Sequence, residues 1–435
     1  MQFWTSFVLA AAGSVSAAAC KSHNTTTTAV APSGTSVSPT STIDWVTYYD
    51  NNNPTAVSKA KATALTRSPT SSVKGKVFDR YVSIWFENTD FDKADADPNF
   101  QFFASKGITL TGFRAVTHPS QPNYVSVVSG DYFGMEDDDV YRIPKNISTV
   151  IDLLEDKGVS WGFYEEDMPF SGFTGESWMN QVTFAQDYMR KHNPGVSFDS
   201  NVQYEDRLAQ IKNLSMIYPE ESLFHQDLAA NKLPQWLFVT PNMTSDAHNS
   251  DITTAGKWLK SFLAPLLDDP HFMNNTLVTI TFDENETYEE QNTILTIVLG
   301  DAVPESLHGT KDDSYYNHYS EIATVEANWD LHTLGRWDVG ANVFEFVGKH
   351  TGDAIRTYEN LDHYYFNSSY GGNFSTSGYY PLPAPNLALN KSVSGRTILP
   401  SIMETWANSD APTYYTDTVM NPDGMHSPAG FPSTS

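Results

Sequence analysis

Residues 117–124, THPSQPNY, place a serine between two prolines in a segment that could do chemistry. Proline fixes φ and restricts the residue before it, so Pro119 and Pro122 stiffen this segment. An apolar run over 108–113 predicts a strand before it, and the residues that follow could open a helix. Ser120 would then lie where unpaired N–H groups of a helix face an anion, a position suited to a nucleophile of phosphoryl transfer. Taken alone, the motif could also be an ordinary Pro-rich turn with a solvated serine.

Polar clusters follow several predicted strands, and together they predict one catalytic site. In α/β folds, ligands bind at the carboxyl ends of strands, so clusters that follow strands would converge there. Each cluster alone could instead be a helix cap, a turn or a surface carboxylate. The clusters are Glu87-Asn88, His118 with Ser120, Asp246 with His248, and Asp283-Glu284.

The side chains of these clusters suit a divalent metal ion. Glu87, Asp283 and Asp246 supply oxygen donors and His248 supplies a nitrogen donor, which is the ligand chemistry of one or two divalent cations. A metal beside the serine would lower the pKa of its hydroxyl and neutralise a phosphate. The acidic run over 283–290 could alternatively be a solvated face.

Further histidines could complete such a site. His318 stands at the start of a predicted helix, where it could protonate a leaving alkoxide, hold the phosphate, or simply neighbour the helix cap. A cationic imidazole at low pH would supply both charge and a proton. His308 is a weaker candidate of the same kind.

The elements that must position these residues alternate between strands and helices. Predicted strands cover residues 80–86, 108–113, 160–164, 235–240, 277–282 and 294–299. Predicted helices cover residues 56–65, 98–106, 148–157, 218–232, 253–267 and 318–330, with Ser148 as the cap of the third. This alternation predicts an α/β fold with a mostly parallel central sheet flanked by helices. The Gly- and aromatic-rich residues 168–201 predict long loops over the site.

The two ends of the chain differ from this α/β body. Residues 1–19 have the apolar and small-residue character of a secretory signal peptide, and residues 20–43 predict a Ser/Thr-rich flexible arm. The α/β domain then covers 44–352, and a loop-rich C-terminal extension packed on it covers 353–435. No later stretch is long and apolar enough to cross a bilayer.

Composition narrows the partners and the compartment. The 435 residues carry a formal charge of −26, and so acidic a surface would repel nucleic acid and anionic membranes. The only cysteine, Cys20, lies at the predicted cleavage point, so no intramolecular disulfide can form. Together with the signal peptide, the Asn-X-Ser/Thr acceptors indicate a secreted glycoprotein. These acceptors are Asn24, Asn146, Asn213, Asn242, Asn274, Asn285, Asn367, Asn373 and Asn390.

The motifs resemble the phosphoesterase family, which contains fungal secreted acid phosphatases and bacterial acid phosphatases and phospholipases C on an alkaline-phosphatase-like fold. The resemblance extends from about residue 80 to about residue 330. Its most specific part is HPSQPN at 118–123, supported by TFDE at 281–284 and HYS at 318–320. The secreted, acidic and glycosylated character is most similar to that of the fungal acid phosphatases.

The resemblance implies a role for each matched residue. It implies that Ser120 is the nucleophile and forms a phosphoseryl intermediate that water hydrolyses. Members of the wider superfamily with two zinc ions open with an aspartate on the first strand, where this chain has Glu87-Asn88, so the number and identity of the metal ions stay open. The other implied residues are His118, His248, His318, Asn88 and Asn123 around the phosphate, and Glu87, Asn88, Asp283, Glu284 and Asp246 around a divalent metal.

We therefore expect hydrolysis of small phosphate monoesters with an acidic pH optimum. A phospholipase C-type phosphodiesterase is the first alternative, and it would have an exposed apolar rim beside the site. A non-catalytic secreted binding glycoprotein is the second, and it would lose nothing on Ser120→Ala. Because Asn285 adjoins Asp283-Glu284, we also expect that its acceptor site carries no glycan.

Overall fold

The α/β body and much of the C-terminal extension are described by a computed structural model. It describes residues 53–418 except 181–182, 359–360, 362–364, 367–368, 377, 390–391 and 393. The predicted signal peptide, the predicted arm and Cys20 lie outside these residues, and so do the acceptors Asn24, Asn367 and Asn390.

The strands and helices alternate along the described chain. The strands are β1 Arg80–Phe86, β2 Gly107–Leu110, β3 Phe113–Arg114, β4 Trp161–Glu166, β5 Ser177–Met179, β6 Gln186–Met189, β7 Ile211–Leu214, β8 Trp236–Thr240, β9 Thr276–Phe282, β10 Thr296–Leu299, β11 Thr310–Asp312 and β12 Tyr316–Asn317. The helices are α1 Pro54–Lys61, α2 Phe91–Ala96, α3 Pro98–Ala104, α4 Ser120–Ser129, α5 Val150–Lys157, α6 Asp199–Val202, α7 Glu205–Leu208, α8 Leu223–Ala229, α9 Ile252–Leu263, α10 Pro270–Met273, α11 His318–Trp329, α12 Glu345–Thr351 and α13 Pro400–Trp406. In the described residues, no helix combines the length and the apolar character that a membrane span requires.

The central sheet is mostly parallel, and it confirms the predicted α/β fold class. Its strand order is β11-β2-β10-β9-β1-β8-β4-β7. β1 pairs in parallel with both β8 and β9, whereas β10 runs antiparallel to β2 and β9. β8 and β9 are buried over their whole lengths and β1 from Tyr81 onward, as expected of parallel strands that are covered on both faces.

A small parallel sheet sets the starts of two buried helices beside each other. β3 pairs with β12, so that Arg114 lies opposite Asn317. α11 begins directly after β12 and is capped by Asn317, whose side chain accepts from the Tyr319 N–H. α4 follows β3 after a short loop and packs against α11, and every residue of both helices is buried. The predicted nucleophile and His318 therefore begin neighbouring helices.

Several predicted elements differ from the observed ones. The cap of α5 is Thr149 rather than Ser148, because the Thr149 hydroxyl accepts from the Ile151 N–H. The predicted helix over 218–232 is shorter and begins after Ser222, whose hydroxyl accepts from the His225 N–H. The predicted strand over 108–113 is divided between β2 and β3. Residues 168–201 contain the antiparallel hairpin β5–β6 and two 3-10 turns, and are not only loops.

A buried carboxylate after α4 holds the C-terminal extension. Asp131 accepts hydrogen bonds from the hydroxyls of Tyr370, Tyr414 and Tyr415. Burial raises the pKa of the Asp131 carboxyl, and the three phenols oppose that rise. The extension therefore contacts the α/β body at this carboxylate, and the segment boundaries given above stay predictions.

Candidate active site

Ser120 is the first residue of α4, and its hydroxyl contacts the carboxylate that follows β1. The Ser120 Oγ donates to Oε2 of Glu87 at 3.0 Å, and both side chains are buried. Pro119 occupies the N-cap position and makes no side-chain capping bond. The Gln121 N–H in the first turn of α4 donates instead to Oδ1 of Asp138 at 2.9 Å. The structure thus joins two residues that the sequence places in separate motifs.

Asn123 holds the loop that leads to Ser120. Its Oδ1 accepts from the N–H groups of Val116 and Thr117, each at 3.1 Å. Its Nδ2 donates to the carbonyl of Thr117 at 2.7 Å and to Oε2 of Glu284 at 3.1 Å. These bonds use the amide oxygen and both amide hydrogens. Asn123 therefore positions the loop through these bonds, and its implied contact with a phosphate stays a prediction.

The second oxygen of Glu87 faces a tyrosine and a histidine. Oε1 accepts from the Tyr124 hydroxyl at 2.7 Å and lies 3.2 Å from Nε2 of His192. The His192 ring stacks on that of Tyr124, and its Nδ1 lies 3.5 Å from Oδ2 of Asp246. Burial, with the charge of Lys191, lowers the pKa of His192 well below its ordinary value. His192 is therefore a neutral imidazole, and its unprotonated ring nitrogen can bind a metal ion or accept a hydrogen bond.

Buried carboxylates meet at the ends of β1, β8 and β9. The backbone brings them together, because the Glu87 N–H donates to the Asp246 carbonyl and the Asp283 N–H donates to the Phe86 carbonyl, both at 2.9 Å. Burial raises the pKa values of the Asp246 and Asp283 carboxyls well above the ordinary range, and the charge of Glu87 raises both further. Burial, followed by the charge of Asp283, does the same to Glu284. The site therefore gathers several acidic side chains away from solvent, where burial disfavours their charged forms.

The donor atoms of this cluster fit a cation. Glu87, His192 and His248 each offer a ligand atom, and these atoms lie within 4.8 Å of one another. Buried acceptors without a partner cost free energy that a bound cation would remove. Carboxylate oxygen with imidazole nitrogen is a usual ligand set for zinc and related divalent metals. The buried atoms without a hydrogen-bond partner are Asn88 Oδ1, Asp246 Oδ2, Asp283 Oδ2, Glu284 Oε1 and His192 Nε2.

Lys191 brings a positive charge to these carboxylates. Its Nζ lies 2.8 Å from Oδ2 of Asp138 and 3.2 Å from Nε2 of His248. Burial opposes the charged form of Lys191, but the charges of Glu87 and Asp138 outweigh burial and raise its pKa. Lys191 is therefore a fixed cation within the site.

His118 is turned toward the segment that follows β9. Its Nε2 lies 3.0 Å from the carbonyl oxygen of Asn285, and its Nδ1 lies 3.2 Å from Nδ2 of Asn292. Its ring contacts that of Tyr288, with centroids 4.0 Å apart. These contacts orient the His118 ring toward residues 285–292. A catalytic role for His118 stays a prediction.

His318 is buried and neutral, so the expectation of a cationic imidazole is wrong. Burial lowers its pKa to about 3, although the contact with the Asp283 carbonyl opposes this shift. Nε2 donates to that carbonyl at 2.7 Å, and the ring packs against that of Trp85 with the ring centroids 4.4 Å apart. Its Nδ1 is buried without a partner. His318 thus braces the Asp283 backbone, and its catalytic role stays a prediction.

Sequence reasoning missed His192, Lys191 and Asp138. The first two lie in the residues that were predicted only as loops over the site. A signal was available, because Arg190-Lys191-His192 is a basic run in a chain with 26 Lys and Arg residues against 52 Asp and Glu residues. Asp138 stands in the acidic run over 136–139, which resembles an ordinary solvated loop.

Comparisons with known proteins cover most of the described chain. The sequence model of the Phosphoesterase family matches residues 89–332, so Glu87 and Asn88 precede the matched segment. The chain is 47% identical over 366 residues to the acid phosphatase of Aspergillus fumigatus, which covers 82% of this chain and 79% of that protein. It is 48% identical over 353 residues to a probable acid phosphatase of Kluyveromyces lactis, covering 80% and 81% respectively. A solved structure of a protein in the alkaline phosphatase superfamily from Vibrio parahaemolyticus superposes with a TM-score of 0.38 and 11% identity, over 62% of this chain and 73% of that chain.

Proposed function

The chain belongs to the phosphoesterase family and is a phosphoric ester hydrolase, and from this premise we propose that it is a secreted acid phosphatase. Its substrates would be small phosphate monoesters, in line with the names of its relatives. One observation carries the assignment of the nucleophile. The Ser120 hydroxyl donates to a buried carboxylate, Glu87, at a helix start without a side-chain cap.

The chemical step uses Ser120 and Glu87. The Ser120 Oγ attacks phosphorus, its proton passes to Oε2 of Glu87, and the bond between phosphorus and the leaving oxygen breaks. The alcohol leaves with a proton from solvent. Water then cleaves the phosphoseryl ester to give inorganic phosphate, and the proton on Glu87 returns to Oγ. The hydrogen bond from Oγ to Oε2, at 3.0 Å, is the geometry that a general base requires.

We further propose that a divalent metal ion is held by Glu87, His192 and His248. When bound, such an ion neutralises charge on the phosphoryl group and lowers the pKa of the serine hydroxyl. The protein's own contribution is to hold His192 neutral and oriented, with its ring stacked on Tyr124. Participation of Asn88, Asp246, Asp283 and Glu284 as ligands, and the identity and number of ions, stay predictions.

Secretion and N-glycosylation are proposed from the sequence. The apolar residues 3–19 and the many Asn-X-Ser/Thr acceptors support both. The formal charge of −26 supports an acidic pH optimum of activity. Repulsion between the carboxylates weakens at the acidic pH where they begin to protonate.

The test is release of phosphate from an aryl phosphate monoester and from a matched diester. We expect monoester hydrolysis, and for Ser120→Ala a fall in kcat/KM of about a thousandfold or more, because the nucleophile is lost. The matched control is Ser129→Ala, which removes a buried hydroxyl at the other end of α4, bonded to the carbonyls of Val125 and Asp131. It should retain activity.

The other outcomes each point to an alternative. A preference for the diester would identify a phospholipase C-type phosphodiesterase. Absence of turnover on either ester, with and without added divalent metal, would favour a binding glycoprotein. Full activity of a folded Ser120→Ala protein would exclude Ser120 as the nucleophile.

A further inference from the structure

Resting on the proposed function, we propose that the Lys191 ammonium and the Gln121 N–H bind the phosphoryl oxygens of the substrate, and that the Asp138 carboxylate competes with the substrate for both donors. Asp138 would then set the affinity of the site for phosphate. Lys191 would be a binding residue that the sequence motifs do not reveal.

Asp138 bridges two donors beside the nucleophile. Its Oδ1 accepts from the Gln121 N–H at 2.9 Å, and its Oδ2 lies 2.8 Å from Nζ of Lys191. Gln121 directly follows Ser120, so the carboxylate rests on the helix start that carries the proposed nucleophile. Backbone N–H groups at a helix start and a lysine ammonium are donors that bind phosphate as well as carboxylate. Asp138 therefore occupies donors that a phosphoryl group beside Ser120 would need.

Lys191 is a cation among acidic side chains, so it is suited to bind a phosphate at this site. Its charge acts on Glu87, Asp246 and Glu284, and it lies 3.2 Å from Nε2 of His248. A phosphate that entered without a cationic contact would meet these carboxylates unshielded. With Lys191 released from Asp138, the ammonium can neutralise part of the phosphoryl charge.

Asp138 can leave these donors without unfolding its loop. Ser120 is 1% exposed, so a phosphoryl group reaches it only if a neighbouring side chain moves, and the Asp138 side chain is 30% exposed. The residues beside it are held in place, because Gln121 Nε2 donates to the Asp139 carbonyl at 2.9 Å and the Thr376 N–H donates to the Glu136 carboxylate at 2.7 Å. A rotation of the Asp138 side chain is then the smallest motion that frees both donors.

The next residue provides a matched control. Asp139 is exposed and carries the same charge, and its backbone carbonyl and N–H, rather than its carboxylate, make its hydrogen bonds to Gln121 and Asp137. Asp138→Asn and Asp139→Asn change the net charge of the protein equally. A difference between them reports the contact and not the general electrostatic field.

The test is equilibrium dialysis of inorganic phosphate against the full metal-replete protein and four variants, with the metal content of each matched. We expect Asp138→Asn and Asp138→Ser to bind phosphate about tenfold more tightly. This is the gain expected when one charge-assisted hydrogen bond no longer competes with the phosphate for its donors. Lys191→Met should bind it about tenfold more weakly for the same reason. Asp139→Asn should match the wild type, and KM for the aryl phosphate should follow the dissociation constants.

Each result decides the proposal. Unchanged or weaker phosphate binding in folded Asp138→Asn and Asp138→Ser would overturn it, because Asp138 would then be a residue that positions Lys191. An equal gain in Asp139→Asn would also overturn it. If Ser120-dependent hydrolysis is found but Asp138→Asn gains no affinity, this inference fails and the proposed function stands. If Asp138→Asn gains affinity but no variant hydrolyses an ester, the competition stands and the proposed function fails.

Discussion

The Tyr124 hydroxyl donates to Oε1 of Glu87 at 2.7 Å, from the same helix whose Ser120 hydroxyl donates to the other oxygen of that carboxylate. Residues four positions apart lie on one face of a helix. α4 therefore presents the proposed nucleophile and a second hydroxyl to one carboxylate, and both hydrogen bonds orient Glu87.

Tyr124→Phe removes the hydroxyl that holds Oε1 of Glu87. We expect kcat to fall by roughly tenfold, because a lost hydrogen bond to a charged group is worth about 1.5–3 kcal/mol and part of that cost also falls on stability. Steady-state kinetics and thermal unfolding measure both effects.

The control for this change is Tyr81→Phe. Tyr81 makes a similar buried bond, at 2.8 Å, to Oε2 of Glu321 near the opposite end of β1. It should lower the midpoint of thermal unfolding and leave kcat nearly unchanged. Equal kcat values for Tyr124→Phe and the wild type would show that Glu87 needs no such support.

His192→Gln removes an imidazole from the proposed metal ligands. We expect the affinity for a divalent metal to fall by at least about tenfold, since even residues that only support metal ligands have effects of about 10–100-fold. Metal content after dialysis, measured by plasma mass spectrometry, tests this without reference to activity. His225→Gln is the control, because His225 lies on α8 and contacts Ser222. Equal metal content in both variants would contradict a ligand role for His192.

Glu321 makes stability depend on pH. Tyr81, Ser83 and Trp85 donate to its carboxyl group, yet burial raises its pKa from 4.5 to about 7. Between these values the folded state binds more protons than the unfolded state, so the contribution is complete below about pH 4.5 and is lost as the pH rises through about 7. The loss is of order 3 kcal/mol, at about 1.36 kcal/mol per pKa unit.

Glu321→Gln isolates this contribution from the other buried acids. Urea unfolding of the wild type and of Glu321→Gln should give a free-energy difference that shifts in favour of the variant between about pH 4.5 and about pH 8. A difference that is independent of pH would mean that Glu321 is ionised in the folded protein throughout this range.

Asn285 should carry no glycan, although it stands in an acceptor site. Its side chain is 1% exposed, its Nδ2 donates to the Thr287 carbonyl at 2.9 Å, and its own carbonyl contacts His118. Asn146 is exposed and serves as the comparison. Glycopeptide mapping of the protein expressed through a eukaryotic secretory pathway should find sugar on Asn146 and none on Asn285. Full occupancy at Asn285 would count heavily against a site beside Asp283 and Glu284.

The sequence by itself determined the strands and the chemistry at their ends. It predicts β1 at its observed bounds, because β-branched and aromatic residues continue without interruption up to Glu87. Parallel neighbours end at the same edge of a sheet, and Phe86 lies opposite Phe282, so Glu87 and Asp283 must meet once β1 and β9 pair. The same local logic places Ser120 at a helix start after a stiff turn.

Only the tertiary structure decided which side chains surround that edge and which of them are charged. His192 lies 3.2 Å from Glu87 although the hairpin β5–β6 that it follows is far from β1 in the sequence, and no local pattern encodes a contact between such distant segments. The charge of His318 also depends on the folded structure. Its residue type allows a cation, but complete burial removes the water that would stabilise one and leaves it neutral. Residue types and periodicity are local properties, whereas burial and long-range contact exist only in the folded chain.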